Sequence, residues 1–169
     1  AGGPLKMCAF REGMGTLTTT LAELCTVHTN KPVRRLQQTD HRYVLGFDDG
    51  SVDADAVVLA VPDFVTTSLL GGLGFAHSAG EVPYASVSVV VLGFPEAAVR
   101  HTTDGFGFLC PNPEKRELMG CVWASSVFPA HGNAGTVMFR CLVGGRRHPE
   151  WAAGTEEDLI ARARGALEA

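Results

Sequence analysis

Paired metal-type cysteines, metal-spaced histidines, a pyrophosphate-gripping glycine loop and a membrane-length apolar run are all missing from this chain. Each absence removes a class of function. The five cysteines, Cys8, Cys25, Cys110, Cys121 and Cys141, are odd in number and contain no CxxC, which points to reduced, buried structural thiols in a cytoplasmic protein. The six histidines show no HxH, HExxH or Cys/His spacing, so structural or surface roles are expected and no metal site. There is no GxSxG, P-loop or GxGxxG, and Gly71-Gly72-Leu73-Gly74 lacks the spacing a dinucleotide loop needs. Apolar runs such as residues 87–92, interrupted by Ser88, are far too short to span a bilayer; with no signal peptide at the start, a soluble chain is expected. A net charge of -4, with Arg34-Arg35, Lys115-Arg116 and Arg146-Arg147 the only basic doublets, gives no footprint for nucleic acid and no polybasic membrane patch.

What is present is a globular composition. Apolar residues make up 46% and charged residues 19% of 169 positions, enough for a chain that buries roughly two-thirds of its unfolded surface. Residues 13–25 place Leu17, Leu21 and Leu24 at helical spacing, with Thr16 as the expected N-cap. The segments "CTVHT", "PVRRL", "RYVLGF" and "DADAVVLAVP" read as strands, and Asp48-Asp49-Gly50 as a tight hairpin turn. Asp63 opens a short helix through Val65, Leu69 and Leu70, ended by Gly71-Gly72.

Beyond Tyr84 the pattern shifts to strands: "ASVSVVVLGF", "FGFLCP", "LMGCVWASS" and "TVMFRCLVGG", with Glu114-Lys115-Arg116 as an exposed turn. In the first of these, Val87, Val89 and Val91 alternate against Ser86, Ser88 and Val90, as on a strand buried on one face and partly covered on the other. Thr155 with Glu156, Glu157 and Asp158 resembles a capping box, and Leu159, Ala163 and Leu167 share a face of the helix that follows. The fold class expected is α+β, largely antiparallel, with a boundary between residues 71 and 81. Ala1 in place of Met, and Ala169 inside a helical pattern, lead us to expect an internal fragment.

Few residues offer chemistry of their own. Asp48-Asp49 and Asp53 with Asp55 are carboxylate pairs on a solvated hairpin, and Ser125-Ser126 has no neighbouring base to activate a nucleophile. The stretch "DGFGFLCPNPEKRELMGCVWASSVFP" therefore reads as the wall of an apolar pocket rather than as a set of reacting groups.

The order "PVRRL", "ADAVVLAVP", "DGFGFLCP", "SSVFP" and "CLVGG" resembles the middle of the oxygen-dependent protoporphyrinogen oxidases, FAD-dependent flavoproteins of the amine-oxidase-like superfamily, over roughly residues 10 to 165. The resemblance implies part of a split FAD-binding domain over residues 1–76, a substrate-domain sheet over 77–150 and the start of a further helix over 151–169. It implies FAD contact at Val33, through its backbone against the adenine end, and at Ala60, Val61 and Pro62. It implies a macrocycle wall of Phe106, Gly107, Leu109 and Leu142, with glycine letting the ring approach the backbone. The activity implied is six-electron oxidation of protoporphyrinogen IX by FAD and molecular oxygen in haem biosynthesis, the flavin carrying the reactivity. Arg140 is a candidate for the cation that the substrate's propionates need. The GxGxxG unit, the membrane-facing helical segment and the C-terminal flavin stretch of that family have no counterpart here, so the chain alone should neither retain FAD nor turn over substrate. Contact with the inner membrane would fall to those segments, and an oligomeric state is not implied. Coproporphyrinogen oxidation, a carotenoid-desaturase-like activity and a non-catalytic porphyrin-binding module are the alternatives.

Overall fold

The computed structural model describes residues 8–75, 82–111, 114 and 116–168. Lys115 of the expected turn, and residues 76–81 of the expected boundary, lie outside them. The chain forms two compact units, Cys25–Pro83 and a second made of Ala1–Leu24 with Tyr84–Ala169.

The Cys25–Pro83 unit is a three-stranded antiparallel meander, β1 (Arg35–Thr39), β2 (Arg42–Phe47) and β3 (Gly50–Ala54), followed by α2 (Asp63–Gly71). Local chemistry sets both turns. Asp40 takes a left-handed φ of 51° between Thr39 and Arg42, a conformation that aspartate tolerates. The expected hairpin forms with Asp48 and Asp49 as its two-residue loop, so Gly50 is the first paired residue of β3. Its carboxylates are spoken for: Arg34 grips Asp48 through Nε and Nη2 at 3.1 and 3.0 Å, and Lys31 pairs with Asp49, whose carboxyl that hydrogen bond and charge hold below the ordinary range. The buried Leu36 and Leu69 form the apolar centre of this unit. Gly72 is required where α2 ends, because a Cβ there would lie 2.7 Å from the carbonyl oxygen of Leu36.

Three strand expectations need correction here. "CTVHT" forms no strand, the "PVRRL" strand begins only at Arg35 and runs on to Thr39, and the ladder after the hairpin stops at Ala54. Residues 56–61 are β-branched and apolar, but a strand needs a neighbour, and none of their backbone groups is hydrogen-bonded among the described residues.

In the other unit, α1 (Gly15–Ala22) begins one residue before Thr16, so Thr16 is not its cap, and it buries no residue. The sheet has the order β4-β7-β6-β5, every pairing antiparallel: β4 (Val87–Pro95), β5 (Gly107–Leu109), β6 (Gly120–Trp123) and β7 (Thr136–Gly144). The short α3 (Ala124–Val127) replaces the strand expected over "ASS", and Ser125 Oγ accepts the Met138 N–H at 3.1 Å, a structural role.

One face of this sheet carries the core. Val90, Cys121, Val137, Phe139, Cys141 and Val143 are buried there with Ala163 and Ala166 of α4 (Glu156–Glu168). The buried side of β4 is thus Ser88, Val90, Leu92 and Phe94, while Val87, Val89 and Val91 are exposed, the reverse of what the valine alternation suggests. Ser88 is accommodated because its hydroxyl donates to Ala152 O at 2.9 Å. The cap of α4 is as expected: Asp158 N–H donates to Thr155 Oγ1 at 3.2 Å, and Thr155 N–H donates back to Asp158 Oδ2 at 3.0 Å. Burial of the cysteines is partial. Cys121 and Cys141 are enclosed, but Cys8 and Cys25 are exposed because the segments that carry them join no sheet or core.

Candidate functional site

The register of the four-stranded sheet brings the expected wall residues onto its second, open face. Leu109 pairs with Gly120, Gly120 with Leu142, and Leu142 with Val89, giving one row across all four strands. Gly107, Val122, Arg140 and Val91 form the next row on the same side. Strands about 4.8 Å apart and rows about 6.7 Å apart make this a patch roughly 14 Å wide. Apart from Arg140 the patch is apolar, and it is open at its edge strands, with Leu109 82%, Val91 53% and Val89 46% exposed, while Leu142 and Val122 between them are half-buried.

Gly107, Leu109 and Leu142 therefore share a face. Phe106 precedes the ladder, where its carbonyl accepts the Trp123 N–H at 2.9 Å and its ring is 57% exposed at the edge of the sheet. Neither Phe106 nor Leu142 lines either of two hollows that reach the wall residues. A cavity of about 940 Å³ includes Gly107 and Leu109 but lies toward the helix side, against Phe94, Phe108, Trp123 and Phe139. A second, of about 320 Å³, joins Leu109 to Arg116, Arg146, Arg147 and His148, and no carboxylate lines it.

Gly107 has a second reason to be glycine. With φ at 145°, a side chain there would collide with the carbonyl oxygen of Cys121, so the residue is needed for β5 to pair with β6 at all. The expected wall did not include Val89 and Val91, which the sequence offered only as strand valines, or Val122. Only the cross-strand register places them beside Leu109 and Leu142, although Val122 could have been found by stepping two residues from Gly120.

The expected cofactor residues lie in the Cys25–Pro83 unit. Val33 is half-buried just before β1, and its backbone makes no hydrogen bond among the described residues. Ala60, Val61 and Pro62 are exposed on the approach to α2, and the Pro62 carbonyl is used by the Val65 and Thr66 N–H groups at 2.9 and 3.0 Å. Open backbone groups at Val33 and an exposed apolar run fit the adenine and the apolar edges of a flavin nucleotide. They do not fit its diphosphate, since Lys31 and Arg34 are committed to the hairpin aspartates.

Among the described residues neither unit presents an activated nucleophile. The thiols of Cys121 and Cys141 lie 3.9 Å apart inside the sheet, and their contact together with burial pushes the Cys121 thiol far up. Burial also raises Cys110. The open sheet face can bind and orient an apolar molecule; it holds no group that would break a bond in one.

Residues 1–169 match the family of flavin containing amine oxidoreductases, and the chain belongs to that family. It is similar to the chloroplastic protoporphyrinogen oxidase of Nicotiana tabacum, 29% identical over 118 residues that cover 65% of this chain and 22% of that protein. It is likewise similar to the coproporphyrinogen III oxidase of Bacillus subtilis (strain 168), 28% identical over 123 residues, 72% of this chain and 26% of that one. A crystal structure from Exiguobacterium sp. 255-15, provisionally named a protoporphyrinogen oxidase, superposes with a TM-score of 0.84 at 21% identity, covering 95% of this chain and 36% of its own. The resemblance read from the residues agrees with these findings, as does the α+β fold, and the flavin expected is the cofactor of the family. The chain spans about a quarter of the length of the curated relatives it matches.

Proposed function

We propose that this chain is part of an FAD-dependent oxidase that converts protoporphyrinogen IX to protoporphyrin IX with molecular oxygen in haem biosynthesis. The observation that carries the reading is the open sheet face, on which Gly107, Leu109 and Leu142 meet Val89, Val91 and Val122 in two cross-strand rows. A flat apolar patch about 14 Å across suits one side of a tetrapyrrole. When bound, FAD would supply the hydride acceptor and pass the electrons on to oxygen, giving hydrogen peroxide. The chain's own residues do the rest: Leu109 and Leu142 hold the macrocycle in place and keep water from it, while Val33, Ala60, Val61 and Pro62 contact the flavin nucleotide. In the division of labour we assign, residues 1–76 contribute to the flavin side, 77–150 to the substrate sheet, and 151–169 begin a further helix. We place the protein in the cytoplasm, with any membrane contact made by segments outside these residues; among the described residues no helix is long and apolar enough to cross a membrane.

A second reading, oxidation of coproporphyrinogen, is favoured by one feature. The hollow beside Leu109 has Arg146 and Arg147 on its walls, the kind of edge a tetracarboxylate needs, whereas Arg116, which also lines it, is held by Glu114 at 3.1 Å and the Ala166 carbonyl at 3.0 Å. The two are separated by supplying the flavin-loaded protein that carries this chain with protoporphyrinogen IX or coproporphyrinogen III in air and following porphyrin fluorescence. Preferential turnover of the former is expected. Porphyrin formed no faster than by autoxidation, with flavin bound, would sink both readings; tight porphyrin binding without turnover would make this a binding module.

A further inference from the structure

Arg140 is the only charged side chain that the four strands place on the open face. Its lateral neighbours are Val122 and Val91, and Met138 and Leu142 stand next to it along β7. It is exposed and takes part in none of the ion pairs or side-chain hydrogen bonds of the described residues.

Two physical demands meet at this position. Valine and leucine in adjoining rows gain by being covered. Covering them desolvates the guanidinium between them, and an unpaired charge in such a place is strongly unfavourable. A purely apolar cover is therefore a poor partner for this face. The partner that satisfies both demands has an apolar body for the row of Leu109, Leu142 and Val89, and an anionic group one row away, about 6.7 Å along the strands. A carboxylate also matches the planar guanidinium fork, which accepts it through two parallel hydrogen bonds.

We infer that Arg140 binds a carboxylate of the ligand on this face, and so sets both the orientation of the tetrapyrrole on the sheet and the preference for free-acid side chains. The inference rests on the reading of the face given above and deepens it: Leu109 and Leu142 hold the ring, and Arg140 fixes which edge of it lies toward β7 and β4.

The experiment uses the flavin-loaded protein carrying this chain and two probes of nearly the same shape, protoporphyrin IX and its dimethyl ester, each titrated by its Soret absorbance. Wild-type protein is expected to prefer the diacid by about tenfold or more, the range of one charge-assisted hydrogen-bonded pair. Arg140→Gln should remove most of that preference, weakening the diacid while the ester binds at least as tightly as to wild type, because no charge is then desolvated beneath it; retained ester binding also shows that the variant is folded. Arg140→Lys, which keeps charge but not the fork, should fall between the two. An acid-to-ester ratio that is the same in R140Q as in wild type overturns the inference while leaving the reading of the face intact; it is the result expected if a carboxylate from elsewhere in the protein covers Arg140. Wild-type protein that binds neither probe removes the reading of the face and this inference with it.

Discussion

Leu109 separates two ways in which an apolar residue can matter. A core leucine stabilises the fold because its side chain leaves water on folding. Leu109 does not leave water in this chain, so its truncation should barely touch stability. Leu109→Ala is expected to change the unfolding free energy by less than about 0.5 kcal/mol. The same change should weaken porphyrin binding roughly tenfold, the effect of losing one leucine's worth of apolar contact with the ligand. Urea unfolding and a porphyrin titration on the same preparations check both halves. A loss of stability with unchanged binding would return Leu109 to a packing role. Gly107 offers no such separation, because a Cβ at that position collides with β6 before any ligand arrives.

At the scale of elements, the cap of α4 carries a pH signature. The Asp158 carboxylate accepts the backbone N–H of Thr155 and, next in weight, its hydroxyl, and both hold its pKa below the ordinary 3.8. A group whose pKa is depressed by folding stabilises the fold above its unfolded value, and that contribution is lost as pH falls through the folded value. Asp158→Asn cannot titrate. The stability gap between wild type and D158N should therefore be widest near neutrality and should narrow below about pH 4, as followed by chemical unfolding at several pH values. A gap independent of pH would mean that the carboxylate charge has no part in the cap. This cap and the Asp48-Asp49 hairpin were legible in the sequence because neighbours a few residues apart determine them. The buried side of β4 was not. Valines occupy one side of the alternation and Ser88 the other, and the outcome turns on Ala152, 64 residues away, accepting the serine hydroxyl. The shared face of Leu109 and Leu142 likewise depends on Gly120 standing between them in the register, which no local pattern encodes. Residues 56–61 show the same limit, since β-branched composition makes a strand only where a partner strand exists.

At the scale of the whole molecule, that unpaired segment is the feature most in need of a cover. Val58 is 91% exposed, and Val61 and Pro62 follow it on the surface. An apolar stretch with open backbone groups is a pairing edge that proteins ordinarily protect. The chain spans about a quarter of the length of the curated relatives it matches, and a protein of their length that carried it would have chain to supply that protection. If residues 57–62 lie against the flavin-binding part of that protein, a charge at Val58 should act at a distance from its own unit. Val58→Lys is expected to leave the Cys25–Pro83 unit folded, because an exposed valine contributes little to it, and to lower flavin absorbance per polypeptide in the purified holoprotein by severalfold. Full flavin occupancy in V58K would show that the segment faces solvent in the complete protein. The assignment of Ala60, Val61 and Pro62 to the cofactor would then have to be given up, while the sheet face in the other unit would still stand on its own geometry.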